Sequence, residues 1–480
     1  MSKDKHSERQ EMSDPSLWDA LPPNFLWGAS TSAYQIEGAT HEGGRGRSIW
    51  DDFAATAGKT YRGETGDSAV DHYHRMEEDI ELLAGLGLNA YCFSIAWPRV
   101  LPNGTGTVNA QGLDFYERLV DALLMRGIEP VAKLYHWDLP SALQERGGWL
   151  NRDTAYAFAD YADHVTRRLS DRVKWWVTHN EPWCTAYLGH SAGVHAPGLR
   201  DLQMGVNAAH HILLSHGLAV PRIRTNAGPH AHVGISLDYY PIHAQDDDVE
   251  TLQGVERAST FRNRWFFDPI FKKHYPEHLF SNLDVAPPAI HAGDLETIGA
   301  PIDFLGLNYY SRWIIRGQSR DGEHAAASPE ASQQGYEQVT SPLPTSTYTE
   351  MGWEIYPAGL LEALEQIQRE YNPPALLITE SGAAFPDHWD GDSSIHDVER
   401  AEYLRGHIAS VARAAAQGVP VRGYFAWSLL DNFEWSEGYS KRFGIVYVDF
   451  PSQKRIVKDS GRWYAAFVAA LRAGQKRISI

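Results

Sequence analysis

From residue 25 onward, short apolar runs alternate with longer stretches in which apolar positions recur every three or four residues. The runs at 25–30, 89–95, 130–136, 175–180, 233–238, 304–309, 375–380 and 422–428 read as buried strands, being short, apolar and bounded by polar or turn-forming residues. Between them lie amphipathic helices. Phe158, Tyr161, Ala162, Val165 and Leu169 share one face, with Asp153 and Thr154 expected to cap it. Residues 114–126 run to Gly127, 360–371 to Pro373 and 401–417 to Gly418, each a natural helix stop.

Strand and helix alternating in this way imply parallel strands joined by crossover helices, and eight such units close most simply into a single (β/α)8 TIM barrel. The chain of 480 residues exceeds the minimal barrel, so long insertions are expected in the βα loops. One is the polar, Ser- and Pro-containing stretch 317–347, which reads as a long loop. Residues 1–20 lack apolar periodicity and read as a disordered tail, leaving 21–480 as one catalytic domain.

Charge and composition narrow the partners. A net charge of −18 disfavours nucleic acid, and no apolar run is long enough to span a membrane. The first residues, MSKDKHSERQ, lack a signal-type apolar core, and two cysteines, Cys92 and Cys184, give no disulfide framework, so the expected compartment is the cytoplasm. Oligomeric state is not legible.

In such a barrel the chemistry gathers where strands end. Those ends carry His136, Trp137 and Asp138; Asn180 and Glu181; Asn308 and Tyr310; Glu380; and Trp427. A carboxyl group at the end of an apolar strand is costly to bury unless it is paired or used. Two of them, among amides, an imidazole and indoles, form the equipment of glycoside hydrolysis, in which one acid protonates the leaving oxygen and the other attacks or activates water.

The motifs FLWGASTSAYQIEGA (25–39), FSIAWPR (93–99), HWDLP (136–140), THNEP (178–182), NYY (308–310), GWEIYP (352–357), ITESG (378–382) and WSLLDNFEW (427–435) closely resemble the family 1 glycoside hydrolases, in the family's order. The resemblance implies a retaining β-glucosidase acting on β-D-glucosides and cello-oligosaccharides, with β-fucosides and β-galactosides as further candidate substrates, without metal or cofactor. It makes Glu181 the acid/base, Glu380 the nucleophile and Tyr310 the nucleophile's hydrogen-bond partner. It assigns Gln35, His136, Asn180, Asn308, Glu434, Trp435 and Trp427 to the sugar, and Trp353, Trp183 and Phe443 to the cleft walls. Glu434 at the sugar's far end implies an unphosphorylated substrate, with Lys441 and Arg442 as the only local argument for a phosphate.

Two positions depart from the family pattern. Cys92 stands where an arginine ordinarily pairs with the nucleophile, and Ser381 where asparagine is usual. Loss of the cation is expected to raise the nucleophile's pKa and loosen its hold, with Arg99 as a candidate substitute, and Cys92→Arg to leave or improve turnover. These departures motivate the alternative of a weakened sugar-binding homologue; a mainly transglycosylating enzyme is a further alternative, set by water access to the glycosyl-enzyme. A metal-dependent barrel hydrolase would instead draw on His72 and His74 or on His210 and His211, which lie in helical patterns rather than at strand ends.

Overall fold

The computed structural model describes residues 15–317, 335–340, 342–391 and 394–474. Eight parallel strands close into a barrel: β1 (Leu26–Ser30), β2 (Ala90–Ser94), β3 (Glu129–Tyr135), β4 (Trp175–Asn180), β5 (His232–Asp238), β6 (Phe304–Asn308), β7 (Leu376–Ser381) and β8 (Val421–Trp427). Each pairs with the next, and β8 closes on β1 with Leu26 opposite Gly423 and Ser30 opposite Trp427. The expected apolar runs match these strands to within one residue at either end.

The barrel is filled by side chains rather than left as a pore. Ala90, Cys92, Val131, Val177, Phe304, Leu377 and Phe425 form a fully buried apolar layer inside it. Further along the same strands the interior turns polar, with Lys133, Asn180, Asn308 and Glu380 all at 2% exposure or less. An apolar floor thus carries a buried polar layer at the carboxyl ends of the strands, where every donor and acceptor needs a partner.

The helix Asp153–Leu169 buries the expected face, including Phe158, Tyr161, Ala162, Val165 and Leu169. Its start differs from expectation: Asn151 Oδ1 accepts from the Asp153 amide at 3.0 Å, while Thr154 Oγ1 turns back to Gly148 O at 2.6 Å. The helix Leu202–Ala227 was not among the expected elements; it holds Pro221 in its interior, a residue that ordinarily argues against helix.

Two small sheets also escaped the sequence reading. Ile242–Ala244, Trp313–Gly317 and Tyr336–Gln338 form a three-stranded sheet, and Val446–Asp449 pairs with Lys454–Val457 as a hairpin. The stretch expected as a loop over 317–347 therefore contributes strand residues at Gly317 and Tyr336–Gln338, while 318–334 and 341 lie outside the described residues. At the amino end, Pro15–Trp18 forms a helical turn and the Trp18 ring meets Phe467 edge-on at 5.0 Å, so the inner part of the expected tail packs on the domain; residues 1–14 lie outside the described residues. Among the described residues no helix is long and apolar enough to cross a membrane.

Candidate active site

The strands that end in acids are irregular just where the acids stand. The pairing of β4 with β5 shifts between Val177 and Asn180, and that of β7 with β6 shifts between Ile378 and Glu380. Such irregularities re-aim side chains at the rim of a sheet. Glu181, directly after β4, has φ 46°, and Trp137 after β3 has φ 78°. Both are left-handed conformations that cost a non-glycine residue energy and persist where the surroundings enforce them. After Glu380 the backbones of β7 and β8 nearly touch: a Cβ at Gly382 would stand 1.7 Å from Trp427 O, so only glycine fits there.

A chain of hydrogen bonds joins the two glutamates. Asn308 Nδ2 donates to Glu181 Oε1 at 2.7 Å and to Asn180 Oδ1 at 3.2 Å. Lys133 Nζ donates to the same Asn180 Oδ1 at 2.7 Å and forms an ion pair with Glu380 Oε1. Tyr310 Oη donates to the other Glu380 oxygen at 2.9 Å. Thr379 Oγ1 donates to Asn308 Oδ1 at 2.6 Å, fixing which end of that amide faces Glu181.

The electrostatics of the two acids differ. Burial, then the neighbouring Asp238, then Glu380 push the Glu181 carboxyl up to about 8. Glu181 therefore holds its proton through neutral pH, whereas Glu380 faces a buried cation. Desolvation is the largest of these causes, and Asp238 at the end of β5 is a neighbour that no sequence motif pointed to. Burial, followed by the charge on Lys133, pushes the His136 imidazole well below its ordinary value, so the ring is neutral. Asn180 Nδ2 donates to His136 Nε2 at 3.1 Å, which leaves the proton on Nδ1, a buried atom without a hydrogen-bond partner among the described residues.

A cleft of about 670 Å³ opens over these groups, bordered by His136, Glu181, Tyr310, Glu380 and Glu434. Gln35 Nε2 reaches Glu434 Oε2 at 3.3 Å and is steadied by Asn432 Oδ1 and Phe433 O, both at 3.0 Å. Burial and then Glu380 push the Glu434 carboxyl up to about 8. His136 stacks at 5.8 Å from both Trp427 and Trp435, and Tyr310, Trp353 and Phe443 form an aromatic group in the same apolar cluster as Trp427. The residues assigned to catalysis and substrate all stand at this cleft, either on its wall or, for Gln35, Asn180 and Asn308, hydrogen-bonded to a group that is.

Other expectations are corrected. Arg99 does not replace the missing arginine: its Nε donates to Glu37 Oε2 at 2.9 Å, away from Glu380. The cation is Lys133, whose signal in the sequence was a lysine inside the apolar strand PVAKLYH. Ser381 is buried with Oγ 3.4 Å from Tyr403 Oη. Arg442 is paired with Asp431 at 2.7 Å and Lys441 with Glu350 at 3.4 Å, so neither is an unpaired phosphate anchor.

The histidine pairs weighed as metal ligands are dispersed. His72 meets Asp79 at 2.8 Å, His74 meets Asp71 at 2.6 Å, and His210 and His211 turn to Asp294 and Trp149 O. Glu181, Cys184 and Asp238 do bring ligand-type atoms within 4.8 Å of one another. The Arg262 guanidinium already pairs with Asp238 there, which removes the charge excess a divalent ion would need.

Comparison with known proteins agrees with this geometry. The Glycosyl hydrolase family 1 model matches residues 17–472. Beta-glucosidase A of Thermotoga maritima is 46% identical over 451 residues, which is 93% of this chain and 97% of that protein. The bifunctional beta-D-glucosidase/beta-D-fucosidase of Bifidobacterium breve is 46% identical over 464 residues, covering 94% of this chain and 98% of its own. The solved structure of the Thermotoga maritima beta-glucosidase in complex with glucoimidazole superposes with a TM-score of 0.88 at 46% identity, over 94% of this chain and 98% of that one. With a closed eight-stranded barrel, a cleft holding two buried glutamates at its strand ends, and matches over nearly its whole length, the chain belongs to glycosyl hydrolase family 1.

Proposed function

We propose that the protein is a retaining β-glucosidase, releasing terminal β-D-glucosyl residues from small β-glucosides and cello-oligosaccharides, with Glu181 as acid/base and Glu380 as nucleophile. The observation that carries the reading is the unlike electrostatics of two glutamates bordering one cleft. Glu181 holds its proton up to about pH 8 by burial and by its acidic neighbours, while Glu380 is ion-paired to Lys133 and hydrogen-bonded by Tyr310. One acid ready to donate beside one ready to attack is the arrangement retention requires.

Glu380 attacks the anomeric carbon as Glu181 protonates the departing oxygen. The resulting ester removes the negative charge of Glu380, one of the causes of the high Glu181 pKa, so Glu181 releases its proton more readily and serves as base for the incoming water. Glu434 and Gln35 take the sugar's outer hydroxyls, and His136 Nδ1 and Asn180 the inner ones. Trp427 lies along the ring. Trp353 and Trp183 face the leaving group, which contacts flat aromatic walls and is selected less tightly than the sugar.

Residues 21–480 serve as one catalytic domain, and the two buried free thiols, Cys92 and Cys184, suit a cytoplasmic enzyme. The Bifidobacterium breve relative, named for both activities, supports β-fucosides as additional substrates. Incubation with a 2-fluoro-β-glucoside carrying a good leaving group tests the assignment: the enzyme is expected to be trapped with one sugar on the peptide containing Glu380. A label elsewhere, or none, overturns it.

A further inference from the structure

We propose that Lys133 on β3 is the positioning cation of the Glu380 carboxylate, taking from the neighbouring strand the place that Cys92 on β2 leaves without charge. The inference rests on the proposed role of Glu380 and concerns how this particular chain holds it.

Three observations converge. Lys133 has no exposed side-chain surface, and the Glu380 side chain is 3% exposed, so the pair is removed from water, where an ion pair is weak, into a setting where each member depends on the other. The ammonium bridges Glu380 Oε1 and Asn180 Oδ1, so one cation locates both the attacking carboxylate and an amide of the sugar site. Cys92 is fully buried in the apolar layer directly beneath, beside Val131, which lies two residues before Lys133. Burial pushes the Cys92 thiol up against the opposing pull of Lys133, and Glu380 acts on it as well, so position 92 faces the pair yet contributes a neutral atom.

Burial alone would push the Lys133 ammonium down; the combined pull of its surroundings, Glu380 first among them, outweighs it and holds the group above the ordinary lysine value. The lysine is therefore charged throughout the working range of a glycosidase. The other groups acting on this pair are Glu181, Glu434, Tyr310 and His136, and none of them is a cation at neutral pH. Arg99, the other cation near β2, is engaged with Glu37. Lys133 thus carries the positive charge at Glu380, and replacing it leaves a buried anion with the Tyr310 hydroxyl as its remaining donor among the described residues.

The test uses Lys133→Met and the double variant Cys92→Arg, Lys133→Thr, which moves the charge back to β2. The readouts are kcat/KM against pH on an aryl β-glucoside and the rate of trapping by the 2-fluoro sugar. Lys133→Met should lose about 10- to 100-fold in kcat/KM. Its acid limb should move up by about one to three pH units, as expected when a buried carboxylate loses its adjacent cation. The trapped sugar should still map to Glu380. The double variant should recover most of the lost rate and the original acid limb, an outcome that simple repair of packing would not give. A folded Lys133→Met with an unmoved acid limb overturns the proposal. If Lys133→Met fails to fold, the double variant decides: recovery of fold and rate supports it, and failure to recover overturns it. A label on a residue other than Glu380 in the unmodified enzyme would instead overturn the assignment of the nucleophile, and with it this inference.

Discussion

Cys184 places its thiol 3.2 Å from Glu181 Oε2 as a donor, and the same sulfur stands 3.8 Å from Asp238 Oδ2. The acid/base assigned to Glu181 is therefore set beside a second carboxylate that no motif pointed to, itself paired with Arg262, which lies 3.9 Å from the centre of the Trp183 ring. Burial is the first cause of the raised Glu181 pKa and Asp238 the second. The acid must be protonated to act, so activity falls as pH rises through about 8. Asp238→Asn removes one negative neighbour and frees the charge of Arg262, and both changes favour ionised Glu181. The basic limb of kcat/KM should move to lower pH, by about one unit. A pH profile on a glucoside with a poor leaving group measures this, because only such a substrate needs the proton.

Removing either carboxyl side chain leaves space on one face of the anomeric carbon. Glu380→Gly should lose nearly all activity and recover part of it with azide or formate, an azide entering where the carboxylate attacked and giving the α-glucosyl azide. Glu181→Ala, assayed with an activated aryl glucoside, should be rescued to the β-glucosyl azide, because the anion then attacks the glycosyl-enzyme from the opposite face. The anomeric proton couplings of the two products distinguish the roles, and exchanged outcomes would exchange the assignments.

A phosphate on the sugar's sixth carbon would meet Glu434 without an unpaired cation to receive it. Arg442 is paired with Asp431 at 2.7 Å and Lys441 with Glu350 at 3.4 Å. The 6-phospho-β-glucoside should therefore be cleaved with kcat/KM at least about 100-fold below that of the plain β-glucoside, the scale of a charged group buried without a partner. Equal rates on the two would show that the outer end of the cleft is read wrongly.

The strands were legible because each is a short run buried on both faces, alternate residues filling the barrel and packing against the outer layer, and the acids because they end those runs. Lys133 was not, because a lysine within a strand is ordinarily read as an outward, solvated residue; its inward direction is fixed by its barrel partners, with Ser94 opposite it on β2. Cys92 alone therefore looked like a lost charge, and Cys92→Arg like a repair. With Lys133 in place the same change would put two cations into one buried layer, so Cys92→Arg alone is now expected to cost activity and stability. Asp238 went unnoticed because ISLD ends like any strand entering a turn, and its proximity to Glu181 depends on the register shift between β4 and β5. The small sheet built from Ile242–Ala244, Trp313–Gly317 and Tyr336–Gln338 escaped because two of its three strands are only three residues long, too short to show alternation.

The raised Glu181 pKa also makes a claim about stability. An acid whose pKa rises on folding keeps its proton in the folded state at pH values where the unfolded chain has released it, so folding becomes less favourable as pH climbs. For Glu181 the window runs from the unfolded value, about 4.3, to about 8. Glu181→Gln keeps an oxygen able to accept from Asn308 but carries no proton to lose. It should therefore be more stable than the wild type at pH 8, on the order of a few kcal/mol, and nearly equal to it at pH 4. Thermal unfolding at the two pH values measures the difference, while turnover of substrates with poor leaving groups should collapse in the same variant. A gain in melting temperature of the same size at both pH values would mean that the effect comes from packing, and that Glu181 ionises as easily in the folded protein as in the unfolded chain.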